Sequence, residues 1–163
     1  MKIFSELAIQ IGEQLKNAGQ TVSVAESSTG GLIAANLLSV PGASSYFVGG
    51  SVVYTLKSRR AFLNLNRDRV RQLKPLSEEM VREFALAAQS ELATDWGVAE
   101  LGAAGPTGSA YGHEAGISVI GIAGPVSAQT TVQTHSDNRA ENMLAFTEVA
   151  LKLFQSLLTE SAP

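Results

Sequence analysis

Cysteine is absent from this 163-residue sequence. That excludes disulfide bridges, thiolate metal sites and a cysteine nucleophile, so any nucleophile must be an oxygen or a nitrogen. Histidine is scarce: His113 and His135 each stand without a second ligand at metal spacing, and neither a metal nor a cofactor is expected. Excess positive charge is missing too. Twelve Lys and Arg against fifteen Asp and Glu give a formal net charge of −3, which argues against a nucleic acid partner, since binding to a phosphate backbone depends on clustered cations. Long apolar runs are lacking. The stretch from Met1 to Leu7 mixes acidic and polar residues with apolar ones, where a signal peptide needs an unbroken apolar core. No membrane partner is expected, and the expected compartment is the cytoplasm.

What remains is ordinary globular composition, 45% hydrophobic and 17% charged, at a length that suits one domain over residues 1–163. Phe4, Leu7, Ala8, Ile11 and Leu15 recur at helical spacing, and Gly19 follows as a left-handed cap. Residues 21–25 read as a strand that runs through Glu26-Ser27-Ser28-Thr29-Gly30-Gly31 into an apolar helix over 32–38. A second strand is predicted over 49–55, with a short helical segment over 56–63. Ser77 reads as the N-cap of a helix reaching about Asp95, with Glu78 and Glu79 against the positive end of its dipole. Strands are predicted over 97–102, 117–123 and 130–134, the last two as an antiparallel hairpin. A Gly-rich loop fills 103–116. The final helix, over 137–158, has an apolar face wide enough to predict packing on a sheet and on a second subunit of a homo-oligomer. The order α-β-α-β-α-α-β-β-β-α predicts a layered α/β domain with helices on both faces of the sheet.

Three segments carry candidate chemistry. Glu26 to Gly31 lies where a strand hands over to a helix, so hydroxyls and unpaired N–H groups converge at a positive helix end; such a place suits a ligand phosphate or the oxyanion of a serine-attacked amide, and equally a plain capped turn. It lacks the spacing of a Walker A or dinucleotide fingerprint. Tyr54-Thr55-Leu56-Lys57 sets a phenol and an amine at the end of the second strand; with no cysteine and few histidines, a lysine is the base a serine nucleophile would use. The basic run Lys57-Ser58-Arg59-Arg60, with Arg67, Arg69 and Arg71, suits one or a few phosphate groups or a solvated face. The small residues from Gly102 to Gly116 let backbone approach a ligand closely.

Taken together, Ala25-Glu26-Ser27-Ser28-Thr29-Gly30-Gly31, Pro41-Gly42-Ala43-Ser44, Gly49-Gly50-Ser51-Val52-Val53-Tyr54-Thr55-Leu56-Lys57 and Ala104-Gly105-Pro106 with Gly108 resemble, in order and spacing, the CinA C-terminal domain family. The resemblance spans nearly the whole chain. It implies a three-layer α/β/α sandwich with a mixed sheet, commonly oligomeric, and an amidohydrolase that converts nicotinamide mononucleotide to nicotinate mononucleotide and ammonia. It implies Ser27 as nucleophile, Lys57 as general base and Tyr54 as their orienting neighbour. Ser28, Thr29, Gly30 and Gly31 would supply donors, Gly105, Pro106, Thr107 and Gly108 would lie along the nucleotide, and Arg139 would hold phosphate or structure. The chain departs from the family where Ser28 replaces a common Cys, Leu101 a hydroxyl residue, and His113-Glu114 a Lys-Pro pair; a basic residue a turn after Arg139 is also missing. These departures keep open an alternative, a weak or inactive paralogue that binds a nucleotide or a protein.

Overall fold

The computed structural model describes residues 4–162. Met1, Lys2 and Ile3, on which the reading of the N-terminus partly rests, lie outside them. The elements run α1 (Ser5–Ala18), β1 (Val22–Glu26), α2 (Leu32–Leu38), β2 (Phe47–Val52), α3 (Leu56–Phe62), α4 (Arg67–Arg71), α5 (Glu78–Leu92), β3 (Trp96–Ala103), β4 (Ile117–Ala123), β5 (Ala128–Gln133) and α6 (Arg139–Glu160), with a 3-10 turn at Ala43–Ser45. α1 stops at Gly19, whose φ of 63° belongs to the left-handed region; a Cβ there would meet nothing within 4 Å, so conformation alone favours glycine. α5 starts as expected on Ser77, whose hydroxyl accepts the Met80 N–H at 3.2 Å. It ends at Leu92, short of Asp95, because Ala93 turns left-handed and the Thr94 N–H closes onto the Gln89 carbonyl.

The five strands form one mixed sheet in the order β2-β1-β3-β4-β5. β1 is parallel to both neighbours, and β3, β4 and β5 run antiparallel in sequence. Strand alternation sends Val22, Val24, Trp96, Val98, Ile120 and Ile122 to one face, against Ile11 and Leu15 of α1, Leu37 of α2, and Phe154 and Leu157 of α6. Ala25, Ala99, Leu101 and Val119 point the other way, onto Val81, Phe84 and Ala88 of α5. The result is the three-layer α/β/α sandwich. β1 is buried along its whole length, as a central parallel strand with both faces covered should be. Gly97 is required where α5 crosses β3, because a Cβ there would overlap the Ala85 carbonyl.

Two boundaries near the candidate site differ from expectation. The second strand ends at Val52, and Thr55 instead caps α3: its hydroxyl accepts the Ser58 N–H at 3.1 Å while the Ser58 hydroxyl accepts the Thr55 N–H at 2.9 Å. The short helix α4, unanticipated from periodicity, is started by the Asn66 side chain, which accepts the Arg69 N–H at 3.0 Å. On the apolar face of α6, Phe146, Ala150, Leu151, Phe154, Leu157 and Leu158 are buried between the sheet and α1 and α2, while Leu144 and Leu153 are half-buried. Among the described residues no helix is long and apolar enough to cross a membrane.

Phe154 packs edge-on against the fully buried Trp96, ring centroids 5.5 Å apart. Phe154→Ala is expected to lower stability by about 3–5 kcal/mol through lost burial and a residual cavity. Urea unfolding followed by Trp96 fluorescence checks this; a shift below about 1 kcal/mol would show that the layer is not closely packed there.

Candidate functional site

The chain leaves β1 through α2 on one face of the sheet and enters β3 from α5 on the other. The carboxyl ends of these adjacent parallel strands therefore border a crevice, the usual ligand position in a wound α/β sheet. Ser27 follows β1 directly. Beneath it lies Glu100 of β3, fully buried, whose carboxylate shapes the turn. One oxygen accepts the N–H of Ser27 at 3.1 Å and the N–H of Thr29 at 3.0 Å. The other accepts the hydroxyls of Ser28 at 2.5 Å and Ser118 at 2.8 Å. Glu26 forms a second buried carboxyl. It accepts the N–H groups of Ile33 and Ala34 at 3.1 and 3.0 Å at the start of α2, and lies 2.6 Å from the Thr29 hydroxyl. Burial pushes the Glu26 pKa up from 4.5, hydrogen bonds from Thr29, Ala34 and Ile33 oppose that, and the nearby Glu100 adds to it.

With the turn committed to these carboxyls, the Ser27 hydroxyl has no hydrogen-bond partner among the described residues. It faces a cavity of about 330 Å³ whose walls include Tyr54, Arg59, the backbone from Gly102 to Gly105, Thr107, Gly108, Tyr111 and Arg139. Arg139 closes one side: it donates to the Gly105 carbonyl at 2.7 Å and to the Tyr54 hydroxyl at 3.1 Å. Asn142, buried, donates to the Ala104 and Ser136 carbonyls at 2.8 Å each and so anchors the root of the loop after β3. Farther along, the Ser109 hydroxyl pairs with His113 Nδ1 at 2.8 Å. A larger chamber of about 550 Å³ adjoins the cavity and shares Leu56, Arg59, Leu76 and Tyr111 with it.

A second guanidinium in the cavity wall, besides Arg139, is that of Arg59. Its Nε donates to the Val53 carbonyl at 3.2 Å and its guanidinium lies 5.2 Å from the centre of the Phe84 ring. Burial lowers its pKa below the usual guanidinium value, partly offset by Tyr111 and Glu100. Among the described residues its terminal nitrogens make no hydrogen bond or salt bridge. Lys57 stands elsewhere. It is exposed on α3, does not line the cavity, and its amine makes no hydrogen bond or ion pair with a described residue.

Of the residues singled out from sequence, Ser27, Tyr54, Gly105, Thr107, Gly108 and Arg139 thus share one cavity, and Lys57 is not brought to it. Ser28 and Thr29 direct their hydroxyls inward, onto Glu100 and Glu26. Gly30 and Gly31 make the turn, with φ of 64° and 101°, and Pro106 follows Gly105 without joining the cavity wall. Glu100 was missed as a site residue, and Arg59 was singled out only as one member of a basic run suited to phosphate groups or a solvated face. The signal for Glu100 was an acidic residue inside an otherwise apolar strand, Val98-Ala99-Glu100-Leu101. Among the described residues no group of three His, Cys, Asp or Glu could hold a metal ion.

Asn142→Ala removes the donor that pins the loop and strands the two carbonyls, each worth about 1–3 kcal/mol when buried without a partner. Faster amide exchange across residues 103–116 is expected, with α5 and β1 unchanged. Equal exchange in wild type and variant would remove the anchoring role.

A family model for the CinA C-terminal domain matches residues 4–158. A CinA-like protein of Gloeothece citriformis is 39% identical over 115 residues, 71% of this chain and 28% of that protein. One of Microcystis aeruginosa is 34% identical over 140 residues, 86% of this chain and 33% of its own length. The chain thus spans a third or less of these curated relatives. Among solved structures, the competence/damage inducible protein CihA of Agrobacterium tumefaciens superposes with a TM-score of 0.87 at 28% identity, covering 96% of this chain and 99% of that one. The competence damage-inducible protein A of Klebsiella pneumoniae gives 0.89 at 21% identity, covering 99% and 100%, a likeness of fold alone. With the family pattern matched from the start of α1 to near the end of α6, this chain belongs to the CinA C-terminal domain family.

Proposed function

We propose that this chain binds a pyridine nucleotide in the Ser27 cavity and deamidates it, converting nicotinamide mononucleotide to nicotinate mononucleotide and ammonia. The observation that carries the reading is the Ser27 hydroxyl, held by the turn, without a hydrogen-bond partner among the described residues, and facing a cavity lined by small residues and the guanidiniums of Arg59 and Arg139. The serine oxygen adds to the carboxamide carbon, ammonia leaves, and water hydrolyses the acyl ester. With the N–H groups of Ser27 and Thr29 spent on Glu100 and that of Gly30 on the Ser27 carbonyl, the Ser28 N–H is the donor beside the nucleophile left for the oxyanion. Arg59, rather than the already engaged Arg139, holds the phosphate. It does not serve as base, because a guanidinium keeps its proton. The base role that the family resemblance gives Lys57 requires its side chain, exposed on the first turn of α3 and outside the cavity wall, to swing in toward Ser27.

The placement of Lys57 also favours a second reading. Without an amine at Ser27 the cavity binds the nucleotide and turns over nothing.

Ammonia release from nicotinamide mononucleotide separates them. The first reading expects release that Ser27→Ala lowers by about a hundredfold or more and Lys57→Met lowers strongly. Wild-type release no greater than that of Ser27→Ala sinks it. A ligand-induced rise in melting temperature would then establish binding without turnover, and no rise would sink both. If Arg59 grips the phosphate, Arg59→Met should weaken KM, or Kd in the second reading, by about tenfold or more, as expected for a charge-assisted hydrogen bond. An unchanged value would return the phosphate to Arg139.

A further inference from the structure

The Thr29 hydroxyl lies 2.6 Å from Glu26 Oε2 and 3.1 Å from Glu100 Oε2. It carries one hydrogen and can donate it to only one of them. Glu100 is already satisfied as an anion, with two donors on each oxygen: the N–H groups of Ser27 and Thr29 on one, the hydroxyls of Ser28 and Ser118 on the other. If Glu26 were ionised as well, Thr29 would turn its hydrogen to Glu26 and set its lone pairs against the Glu100 oxygen. Reversing the chain removes the conflict. A proton on Glu26 Oε2 donates to the Thr29 oxygen, Thr29 donates to Glu100, and Glu26 Oε2 keeps a lone pair for the Ile33 N–H while Oε1 accepts from Ala34.

We propose that Glu26 and Glu100 hold a single proton between them at neutral pH, on Glu26 and relayed through the Thr29 hydroxyl, and that this pair is the positioning element beneath Ser27. Both carboxyls are 1% exposed or less, and neither forms a salt bridge among the described residues. The charged and titratable groups acting on them are few: each acts on the other across β1 and β3, and Arg59 acts on Glu100 from α3. Ser118 of β4 and the first N–H groups of α2 face them as neutral donors. Two bare carboxylates this close, away from water, would repel and lack solvation; one shared proton relieves both. The bearing on catalysis rests on Ser27 being the nucleophile, whereas the proton count does not.

Infrared spectroscopy of the whole chain tests the count directly. At neutral pH the carbonyl stretch of a buried protonated carboxylic acid is expected in wild type. It should vanish in Glu26→Gln, whose amide can donate to Thr29 and accept from α2 as the acid does. In Glu100→Gln the negative neighbour is gone, so the band should titrate away at lower pH. Stability gives a second readout. A carboxyl whose folded pKa is raised contributes fully below the unfolded value near 4.5 and loses that contribution as pH rises through the folded value. Wild-type stability from this site should therefore decline with rising pH, and Glu26→Gln should flatten the decline. Absence of the acid band in wild type at neutral pH, or its persistence in Glu26→Gln, overturns the proposal whatever the chain does to nicotinamide mononucleotide. Failure to release ammonia leaves these readouts intact and bears only on the nucleophile.

Discussion

One carboxylate organises the functional end of this domain. Glu100 is buried at the end of β3, and an ion in that position is tolerated only if donors replace the water it has lost, a penalty of several kcal/mol otherwise. The turn after β1 supplies four of those donors, the N–H groups of Ser27 and Thr29 and the hydroxyls of Ser28 and Thr29, and β4 a fifth. The turn is not free to relax in any way that withdraws them. Its conformation follows from the needs of the charge below it, and the side chain of Ser27, the residue whose hydroxyl the carboxylate does not use, is left facing outward.

The same constraint divides the site into an inner, protein-facing layer and an outer, ligand-facing one. The hydroxyls of Ser28 and Thr29, which sequence alone suggests as ligand contacts, belong to the inner layer. The outer layer comes from elements distant in sequence: Tyr54 after β2, Arg59 on α3, the backbone after β3 and Arg139 at the head of α6. Asn142, one turn after Arg139, pins the loop, so the first two turns of α6 set the shape of the cavity wall as well as packing on the sheet.

Most of the architecture was legible in the sequence because periodicity and caps are local. The helical stripe ending at Gly19, the Ser77 cap and the apolar runs of β4 each declare their element within a few residues. What was not legible depends on phase or on distance. The second strand was expected to run to residue 55; it stops at Val52, and Thr55 begins a helix. In a helix, residues two apart point to nearly opposite sides, so that boundary decides whether position 57 or 59 looks into the cavity, and it is Arg59 that does. Glu100 is 73 positions from Ser27. An acidic residue inside an apolar strand announces that something must satisfy it, without saying what.

Arg139 joins the Gly105 carbonyl to the Tyr54 hydroxyl and so ties one rim of the crevice to the other. Breaking that link would release both segments at once, so the width of the opening is governed from the head of α6 rather than by either segment alone.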